Sequence, residues 1–394
     1  MEEQSNNKAI PRWKALLACF LCLVLGGTAA TAGIWAAVGE DGRTLLQAQR
    51  LIREKFVGEY DQEHQKQFTL AAMVEGLGDR WSGYLTPSQY QTVQVNRANT
   101  YVGIGVTVSR DDPENLVITG ITEGGPAEEA GVQAGDIILA VDSTALTPEN
   151  REDCIVAIRG EEGTIVTLTL RRTDGREEDV AVERRTIQEV SADWILTEDG
   201  VGLITIYNFY TGVADSVTQG VEELRDQGAK ALILDVRYNP GGYVHELVDI
   251  LDLLLPEGDV FISRQSNGTE KVYTSDDDFV DLPMAVLVNG ESYSAAEFLA
   301  AQLRETAGAL VVGTQTCGKG YSQMLFELAD GSALNLSTAR YYTGGGVSLI
   351  GTGVEPDPLV EMSDEANARL LAGELPLEED TQYQAAVRAL ALDE

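Results

Sequence analysis

The segment Ser294–Gln323 decides the fold and the chemistry expected of this chain. It opens with Ser-Ala-Ala-Glu and closes with Gly-Lys-Gly-Tyr-Ser-Gln. Ser294 follows the apolar run Met284–Val288 and a short turn, which places it just after a buried strand. Lys319 stands between two glycines, and a lysine can activate a serine without a histidine. Since the chain has only two histidines, a serine nucleophile with a lysine base is the first interpretation.

Ser294 also has a purely structural interpretation. Ser294 and Glu297 have the spacing of a capping box, in which the serine caps a helix and the glutamate reaches back to the serine N–H. The free N–H groups of a helix N-terminus also stabilise a developing oxyanion. The local sequence therefore leaves both a cap and a nucleophile open. His245 lies in the predicted helix Val244–Leu255, and a Ser–His pairing is a minor alternative.

The residues around the lysine also resemble a nucleotide-binding motif. Residues Gly313–Gly320 nearly fit the phosphate-binding loop G-x-x-x-x-G-K-[ST], but Gly320 replaces the hydroxyl that would bind magnesium. The following residues, Met324–Leu328, read as a strand instead of the required helix. Nucleotide binding is therefore disfavoured. Lys319 could be an exposed lysine in a turn. The glycines on both sides of it instead favour a tightly turning backbone that holds the lysine side chain in one position.

The composition excludes several classes of partner. The 394 residues include 28 Lys and Arg against 63 Asp and Glu, a net charge of −35, which repels DNA, RNA and anionic lipid. Of four cysteines, only Cys154 and Cys317 lie beyond the apolar N-terminal segment, so no disulfide framework is expected. The sequence contains no recognisable metal cluster, and we expect no cofactor.

The N-terminal segment predicts membrane attachment. Residues Ala15–Val38 carry no charge and are long enough to cross a bilayer as a helix. Basic residues precede this segment and acidic residues follow it. The positive-inside rule therefore puts the N-terminus in the cytoplasm and the rest of the chain outside, as a single-pass membrane protein. Small residues within Thr28–Gly33 leave a cleaved signal peptide, and hence a secreted protein, as the alternative.

Hydrophobic periodicity divides the chain into five parts. These are a cytoplasmic tail and anchor (1–40), a helical region (41–98) with a turn-rich junction at Trp81–Pro87, a β-rich region (99–187), an α/β region (188–361) and an acidic helical tail (362–394). Alternation of buried strands and amphipathic helices predicts an α/β multidomain protein. The helical terminal segments are compatible with a homodimer.

Residues 99–187 resemble a PDZ domain of the bacterial protease type. The matching pieces are Gly103–Val106, the proline-started short helix in Gly125–Val132, and the turn and strand Ala134–Ile138. Such domains hold a peptide's C-terminal carboxylate on backbone N–H groups and pair the peptide with a strand. The resemblance implies that apolar C-terminal tails bind at four residues: Gly103, Ile104, Gly105 and Val106.

The region around Ser294 and Lys319 resembles the C-terminal processing peptidases, or tail-specific proteases, of the Ser/Lys class. The family pattern S-A-S-A-S-E and T-F-G-K-G-x-x-Q falls on Ser292–Glu297 and Thr316–Gln323. Two further family motifs, D-L-R-x-N-P-G-G and G-x-G-V-x-P-D, correspond to 235–242 and 351–357. The resemblance covers nearly everything after the apolar segment. It implies a ClpP/crotonase-like α/β protease core with an inserted PDZ domain.

The resemblance also implies roles for single residues. Ser294 is the nucleophile, Lys319 the general base, and Gln323 orients the lysine. One oxyanion donor comes from Ala295, the residue after the nucleophile. The other comes from the glycine pair, and the sequence does not say whether Gly241 or Gly242 supplies it.

Five further residues lie in or near these motifs. Arg159 occupies the place where relatives couple PDZ occupancy to the active site, and an exposed turn arginine is an equal alternative. Asp235 and Arg237 are expected to be structural. Tyr293 and Cys317 replace a small residue and an aromatic residue of the family pattern, and neither change removes a reacting group.

Together these features predict a membrane-anchored, extracytoplasmic serine endopeptidase that cleaves proteins near their C-termini. Burial would lower the pKa of Lys319 so that the neutral amine takes the proton of Ser294. The PDZ domain would hold the substrate's apolar tail and keep activity low when it is empty. A catalytically silent PDZ scaffold that only binds peptides is the alternative.

Overall fold

The structure, a computed structural model, describes residues 39–109 and 115–390. Residues up to Lys66 form one unit and residues from Gln67 onward form a second. Helix α1, residues 39–55, belongs to the first unit, and helix α2 is Gln62–Glu75. The predicted membrane segment Ala15–Val38 lies outside the described residues. None of the helices in the two described stretches is long and apolar enough to span a membrane.

After α2, the chain forms β1 (Gly83–Leu85) and α3 (Pro87–Arg97). Thr86 caps α3 in a reciprocal pair with Gln89, and Pro87 occupies the first turn. The structure differs here from the helical region predicted for 41–98. A three-residue strand has no periodicity of its own, and β1 forms by pairing with β18 (Ala333–Thr343) near the other end of the chain.

The next ten elements form the β-rich region. They are β2 (Thr100–Gly103), β3 (Val106–Val108), β4 (Leu116–Ile121), α4 (Pro126–Glu129), β5 (Ile137–Val141), β6 (Thr144–Ala145), α5 (Arg151–Ile158), β7 (Ile165–Arg171), β8 (Glu177–Glu183) and β9 (Arg185–Gln188). The sheet order is β3-β4-β5-β7-β8, and β6 pairs with β5.

Two features of this region bear on function. Strands β2 and β3 are separated at Ile104 and Gly105, where Gly105 has a left-handed φ of 77°. Strand β3 is the first strand in the sheet order, so only one of its two sides pairs with another strand of the described residues. Strands β2 and β9, where the chain enters and leaves the region, pair with each other.

The core of the second unit is a five-stranded sheet with the order β10-β11-β12-β15-β16, parallel from β11 onward. Its strands and helices are β10 (Ala192–Leu196), β11 (Val201–Ile206), α6 (Val213–Asp226), β12 (Ala231–Asp235), α7 (Val244–Leu254), β15 (Met284–Val288), α8 (Ala295–Ala307) and β16 (Leu310–Gly313). Such strands are buried on both faces, which explains their unbroken apolar runs.

Side chains of this sheet point alternately to its two faces, and each face packs against a different set of helices. Ile204, Leu234 and Val286 pack with residues of α6, α7 and α8, whereas Ile233 and Leu287 pack on the opposite face. That second face is covered by helix α10, Thr381–Leu390, through Tyr383 and Ala386. The acidic tail therefore packs on the core. Helix α9, Asp364–Leu371, precedes it.

A second, antiparallel sheet carries the segment after the lysine loop. It contains β13 (Gly258–Gln265), β14 (Glu270–Ser275), β17 (Tyr321–Glu327) and β18, with the order β1-β18-β13-β14 and with β17 on β18. The loop 314–320 therefore connects the last strand of the parallel sheet to this sheet. Lys319 lies in this connecting loop, two residues before β17 begins at Tyr321.

Candidate active site

Ser294 stands at the tight junction between β15 and α8. Its φ of 55° and ψ of −114° lie in a region that non-glycine residues seldom occupy, which is typical of backbone held in place for function. The neighbouring Ser292 is fully buried: its hydroxyl donates to the carbonyl of Val236 and accepts from the N–H of Asn289. Ser294, by contrast, lines a cavity.

Glu297 binds both halves of the site through one fully buried carboxylate. One oxygen accepts the N–H groups of Ser294, at 2.8 Å, and of Lys319, at 2.9 Å. The other accepts the hydroxyl of Thr316 and the N–H of Gly318, each at 2.6 Å. The predicted capping contact of Glu297 is thus one of four hydrogen bonds, and the glutamate fixes the lysine loop against the start of α8.

These bonds also decide the nucleotide interpretation. A phosphate-binding loop needs free backbone N–H groups, but those of Gly318 and Lys319 already donate to Glu297. Strand β17 follows the lysine where the motif requires a helix. The loop therefore offers no phosphate cradle at these positions.

Lys319 is half-buried, and its amine lies 5.0 Å from the ring centroid of Trp81. Burial lowers the pKa of Lys319, because desolvation disfavours the ammonium form, and the positive charge of Arg97 lowers it further. Glu297 and Cys317 act in the opposite direction. The net direction is the one that a lysine general base requires.

The proposed reacting groups share one cavity of about 420 Å³. Its lining includes Arg97, Gly241, Gly242, Ser294, Lys319 and Gln323. Within the described residues, no hydrogen bond joins the Ser294 hydroxyl to the Lys319 amine. The structure therefore brings the pair into one cavity with the lysine resting on Trp81, and catalytic contacts of empty enzymes commonly tighten only when substrate binds.

Gln323 lines the same cavity without bonding to the lysine. Its amide nitrogen donates to the carbonyl of Tyr321 at 3.0 Å and to the hydroxyl of Ser337 at 3.2 Å. Its carbonyl oxygen accepts none of the hydrogen bonds formed within 39–109 and 115–390. The side chain is fixed by its nitrogen while its oxygen is open to another donor.

The glycine pair divides into two roles. The N–H of Gly241 donates to Asn239 Oδ1 at 2.8 Å, so it is occupied. Gly241 instead approaches Ser294: a β-carbon at Gly241 would lie 3.0 Å from the β-carbon of Ser294 and 3.1 Å from the nitrogen of Ala295. Gly242 is exposed, and no hydrogen bond of the described residues occupies its N–H. The structure leaves Gly242 and Ala295 as available donors.

The two substituted family positions join an aromatic cluster next to the lysine. The ring of Tyr293 meets Trp81 edge-on at 6.3 Å, and its hydroxyl donates to Glu291, which raises the pKa of Tyr293 to about 12. The guanidinium of Arg80 donates to the sulfur of Cys317 at 3.1 Å, and burial raises the pKa of that thiol. These replacements contact the neighbours of Lys319 and leave the reacting groups in place.

The remaining predicted residues lie apart from this cavity. The guanidinium of Arg159, at the end of α5, lies 5.0 Å from the ring centroid of Tyr101 in β2. His245 is exposed and stacks on Tyr243, and it is not among the residues that line the cavity. Among the residues that the structure describes, no cluster of His, Cys, Asp or Glu could hold a metal ion.

Asp235 and Arg237 form a buried ion network at the end of β12. The guanidinium of Arg237 donates to both oxygens of Asp235 and to Asp380, which precedes α10. These two carboxylates raise the pKa of Arg237 against the effect of burial. The network attaches the C-terminal helix to the core, in agreement with a structural role.

Three contributing residues were not identified as functional from the sequence. Trp81 appeared only as part of a junction, Glu297 only as a cap, and Arg97 had no sequence signal. Each acts through contacts with residues far away in the chain. Only Glu297 had a usable signal, its place beside the serine motif.

Comparisons with known proteins identify the family of this chain. The profile of peptidase family S41 matches residues 200–360, and a PDZ domain profile matches residues 117–172. The carboxy-terminal processing protease CtpA of Bacillus subtilis (strain 168) is 30% identical over 356 residues, which are 89% of this chain and 76% of the relative. The carboxyl-terminal-processing protease of Synechocystis sp. (strain PCC 6803) is 32% identical over 349 residues, 86% of this chain and 80% of the relative.

A solved structure from Bacteroides fragilis NCTC 9343, assigned to the S41 proteases, superposes with a TM-score of 0.51 at 18% identity. The match covers 85% of this chain and 92% of that chain, and it shows a shared fold. The extent of the sequence matches shows the family directly. The chain belongs to peptidase family S41, and within it to the C-terminal processing peptidases that carry a PDZ domain.

Proposed function

We propose that this peptidase cleaves polypeptides with Ser294 as nucleophile and Lys319 as general base. One observation carries the proposal: both side chains line the same cavity, where burial lowers the pKa of the lysine. An amine with the ordinary lysine pKa would be protonated at neutral pH and could not accept the serine proton. Partial burial lowers the pKa of Lys319, so a larger fraction of the amine is neutral.

The reaction has two halves. The Ser294 oxygen attacks the scissile carbonyl carbon while the Lys319 amine accepts the hydroxyl proton. Collapse of the tetrahedral intermediate breaks the C–N bond, and the ammonium returns that proton to the leaving amine. A water molecule then attacks the acyl-enzyme, Lys319 accepts a proton from it, and the proton passes back to Ser294 as the new carboxylate leaves.

The oxyanion of both intermediates would be bound by the N–H groups of Gly242 and Ala295. This choice is supported by the hydrogen bond that already occupies the Gly241 N–H. Donors aimed at developing charge are commonly worth about 3 kcal/mol of barrier each. Gly241 would instead serve by its lack of a side chain against Ser294.

Gln323 would orient the base. Its nitrogen is held by Tyr321 and Ser337, so its free carbonyl oxygen is placed to accept a hydrogen bond from the Lys319 amine once that amine leaves Trp81. A glutamine oxygen adds no negative charge, so it orients the amine without raising its pKa as a carboxylate would.

The PDZ domain would supply substrate selection. The edge strand β3 and the loop at Gly103–Val106 are suited to an extended apolar tail, with its terminal carboxylate near the loop. We further propose that the empty domain keeps activity low, with Arg159 taking part in the switch. Its contact with Tyr101 in β2, at the entrance to the domain, supports this role.

The site of action would be outside the cytoplasm. This proposal rests on the uncharged segment Ala15–Val38 and the charges that flank it. The substrates would then be exported proteins with unstructured apolar tails. The membrane segment would keep the enzyme at the outer face of the membrane.

The test is cleavage of an unstructured protein with an apolar C-terminus by the full chain in detergent. Wild type is compared with Ser294→Ala and Lys319→Ala, and fragments are identified by mass. We expect cleavage by wild type only. Equal cleavage by all three would disprove the assignment. Tight peptide binding without cleavage by any of them would favour the scaffold alternative.

A further inference from the structure

Arg97 brings a second cation into the catalytic cavity. It is the last residue of α3, it is half-buried, and it lines the cavity together with Ser294 and Lys319. Its charge is close enough to Lys319 to contribute to the lowered pKa of that residue. No step of the proposed reaction uses it.

The guanidinium of Arg97 has no carboxylate partner among the residues that the structure describes. The chain has 63 acidic and 28 basic residues, so carboxylates far outnumber the cations that they could pair with. Two other arginines with little side-chain exposure, Arg172 and Arg237, each bind two carboxylates. An unpaired guanidinium beside a lysine whose charge must be lost is electrostatically unfavourable, and a ligand carboxylate would relieve this.

We propose that Arg97 forms a carboxylate-binding subsite of the catalytic cavity, which selects polypeptide substrates that carry a carboxylate close to the scissile bond. The inference rests on the proposed function of this cavity. The carboxylate is either an acidic side chain or the terminal carboxylate of a short tail.

The chemistry of the cavity favours a single negative charge of this kind. A guanidinium binds a carboxylate through two parallel hydrogen bonds. A dianionic ligand such as phosphate would meet the net charge of −35 and a lysine that has to be neutral. A polypeptide substrate presents a carboxylate on a chain that already occupies the cavity, so little additional binding entropy is lost.

A bound carboxylate should also change the pKa of Lys319. It neutralises the charge of Arg97 and removes one cause of the lowered pKa of Lys319. The pH dependence of kcat reports the groups of the enzyme–substrate complex. The acid limb of the kcat profile should therefore move to higher pH for an acidic peptide than for its amide counterpart. A residue that acted only in folding would not give this substrate-dependent shift.

The experiment uses full-length enzyme and matched peptides with an apolar C-terminus. One arm exchanges Asp for Asn at successive positions around the bond that wild type cleaves. The other compares a free with an amidated C-terminus. Values of kcat/KM are measured above the acid limb for wild type, Arg97→Gln, Arg97→Lys and Arg225→Gln. Arg225 is an exposed arginine in the last turn of α6 and controls for loss of charge.

We expect wild type to prefer the acidic peptide by about tenfold at one position, since hydrogen bonds to charged groups are the strong ones. Arg97→Gln should abolish the preference, Arg97→Lys should retain part of it, and Arg225→Gln should retain it fully. An acid preference of the same size in wild type and Arg97→Gln would overturn the proposal. A preference for the free C-terminus that survives Arg97→Gln belongs to the PDZ domain.

A binding measurement separates this inference from the proposed function. The same peptides are titrated into Ser294→Ala with and without Arg97→Gln. If wild type cleaves nothing, the proposed function fails, and the acid-to-amide ratio of Kd still decides the subsite. Loss of that ratio on Arg97→Gln supports the subsite, and an unchanged ratio refutes it.

Discussion

Glu297 and Lys319 are joined by a hydrogen bond of 2.9 Å between a fully buried carboxylate oxygen and a backbone N–H, and the same oxygen accepts the N–H of Ser294. One side chain therefore sets the distance between the backbones of the proposed nucleophile and base. The lysine loop cannot shift relative to α8 without leaving buried polar groups unpaired, which costs about 1–3 kcal/mol for each group.

Glu297→Gln should separate the two halves of the site. In glutamine, an NH2 group replaces one of the two carboxylate oxygens. Each oxygen now accepts two hydrogen bonds, so two N–H or O–H groups lose their acceptor. We expect a stability loss of about 3 kcal/mol in urea unfolding and a fall in kcat of more than about tenfold. Glu291→Gln is the control, because Glu291 is exposed and accepts only the Tyr293 hydroxyl among these contacts. Wild-type activity in Glu297→Gln would contradict this role.

Cleavage should increase with pH through the pKa of Lys319. The proposed base is the neutral amine of Lys319, and burial disfavours its charged form. The acid limb of the pH profile should therefore have an apparent pKa below the ordinary lysine value of about 10.5. The pH dependence of kcat/KM with an uncharged peptide measures it. A limb at or above the ordinary value would show that burial does not tune this lysine.

The same lowered pKa predicts that stability also depends on pH. Between the folded pKa and about 10.5, the unfolded chain holds a proton that the native Lys319 does not, so stability rises with pH in that window. Lys319→Met should therefore be more stable than wild type at neutral pH, with the difference shrinking toward pH 10.5. Thermal unfolding at several pH values checks this, and a pH-independent difference would count against it.

The sequence predicted those parts of the molecule that depend on neighbours in the chain. Buried strands such as Met284–Val288 are local patterns, and Ser294 follows that strand at the start of a helix, as expected. Strand β1 and the contact between Trp81 and Lys319 were missed, because both arise when segments far apart in sequence meet. Arg97 was missed for the same reason: nothing around it distinguishes a cavity arginine from a solvated one.

Trp81 should influence the base in two opposing ways. Its ring buries the Lys319 amine, which lowers the pKa, and its π face attracts the ammonium, which raises it. Trp81→Leu keeps much of the burial and removes the π face, so the acid limb should move to lower pH by about half a unit to one unit. Trp81→Ala also exposes the amine, and the limb should move toward the ordinary lysine value. Equal shifts in both variants would contradict this division.

Gly241→Ala should damage the nucleophile, and the chain provides a matched control. Gly241 and Gly346 have the same left-handed φ of 84°, so an alanine at either position costs about 1–2 kcal/mol of backbone strain. A β-carbon at Gly241 would also lie 2.8 Å from the carbonyl oxygen of Tyr293 and close to Ser294, whereas one at Gly346 meets open space. We expect a loss of kcat of about 100-fold or more for Gly241→Ala only. Equal kcat in the two variants would show that this close approach does not matter.

Asp380→Ala should release the C-terminal helix from the core. Asp380 binds the buried guanidinium of Arg237 and accepts the N–H groups of Gln382 and Tyr383 at the start of α10. Removing one partner of a buried ion network typically costs about 3–5 kcal/mol. Glu379→Gln, one residue away, breaks an exposed pair with Arg369 and should change stability little. Urea unfolding compares the two variants. Similar midpoints for both would mean that Asp235 alone satisfies Arg237 and that α10 is held by its apolar contacts.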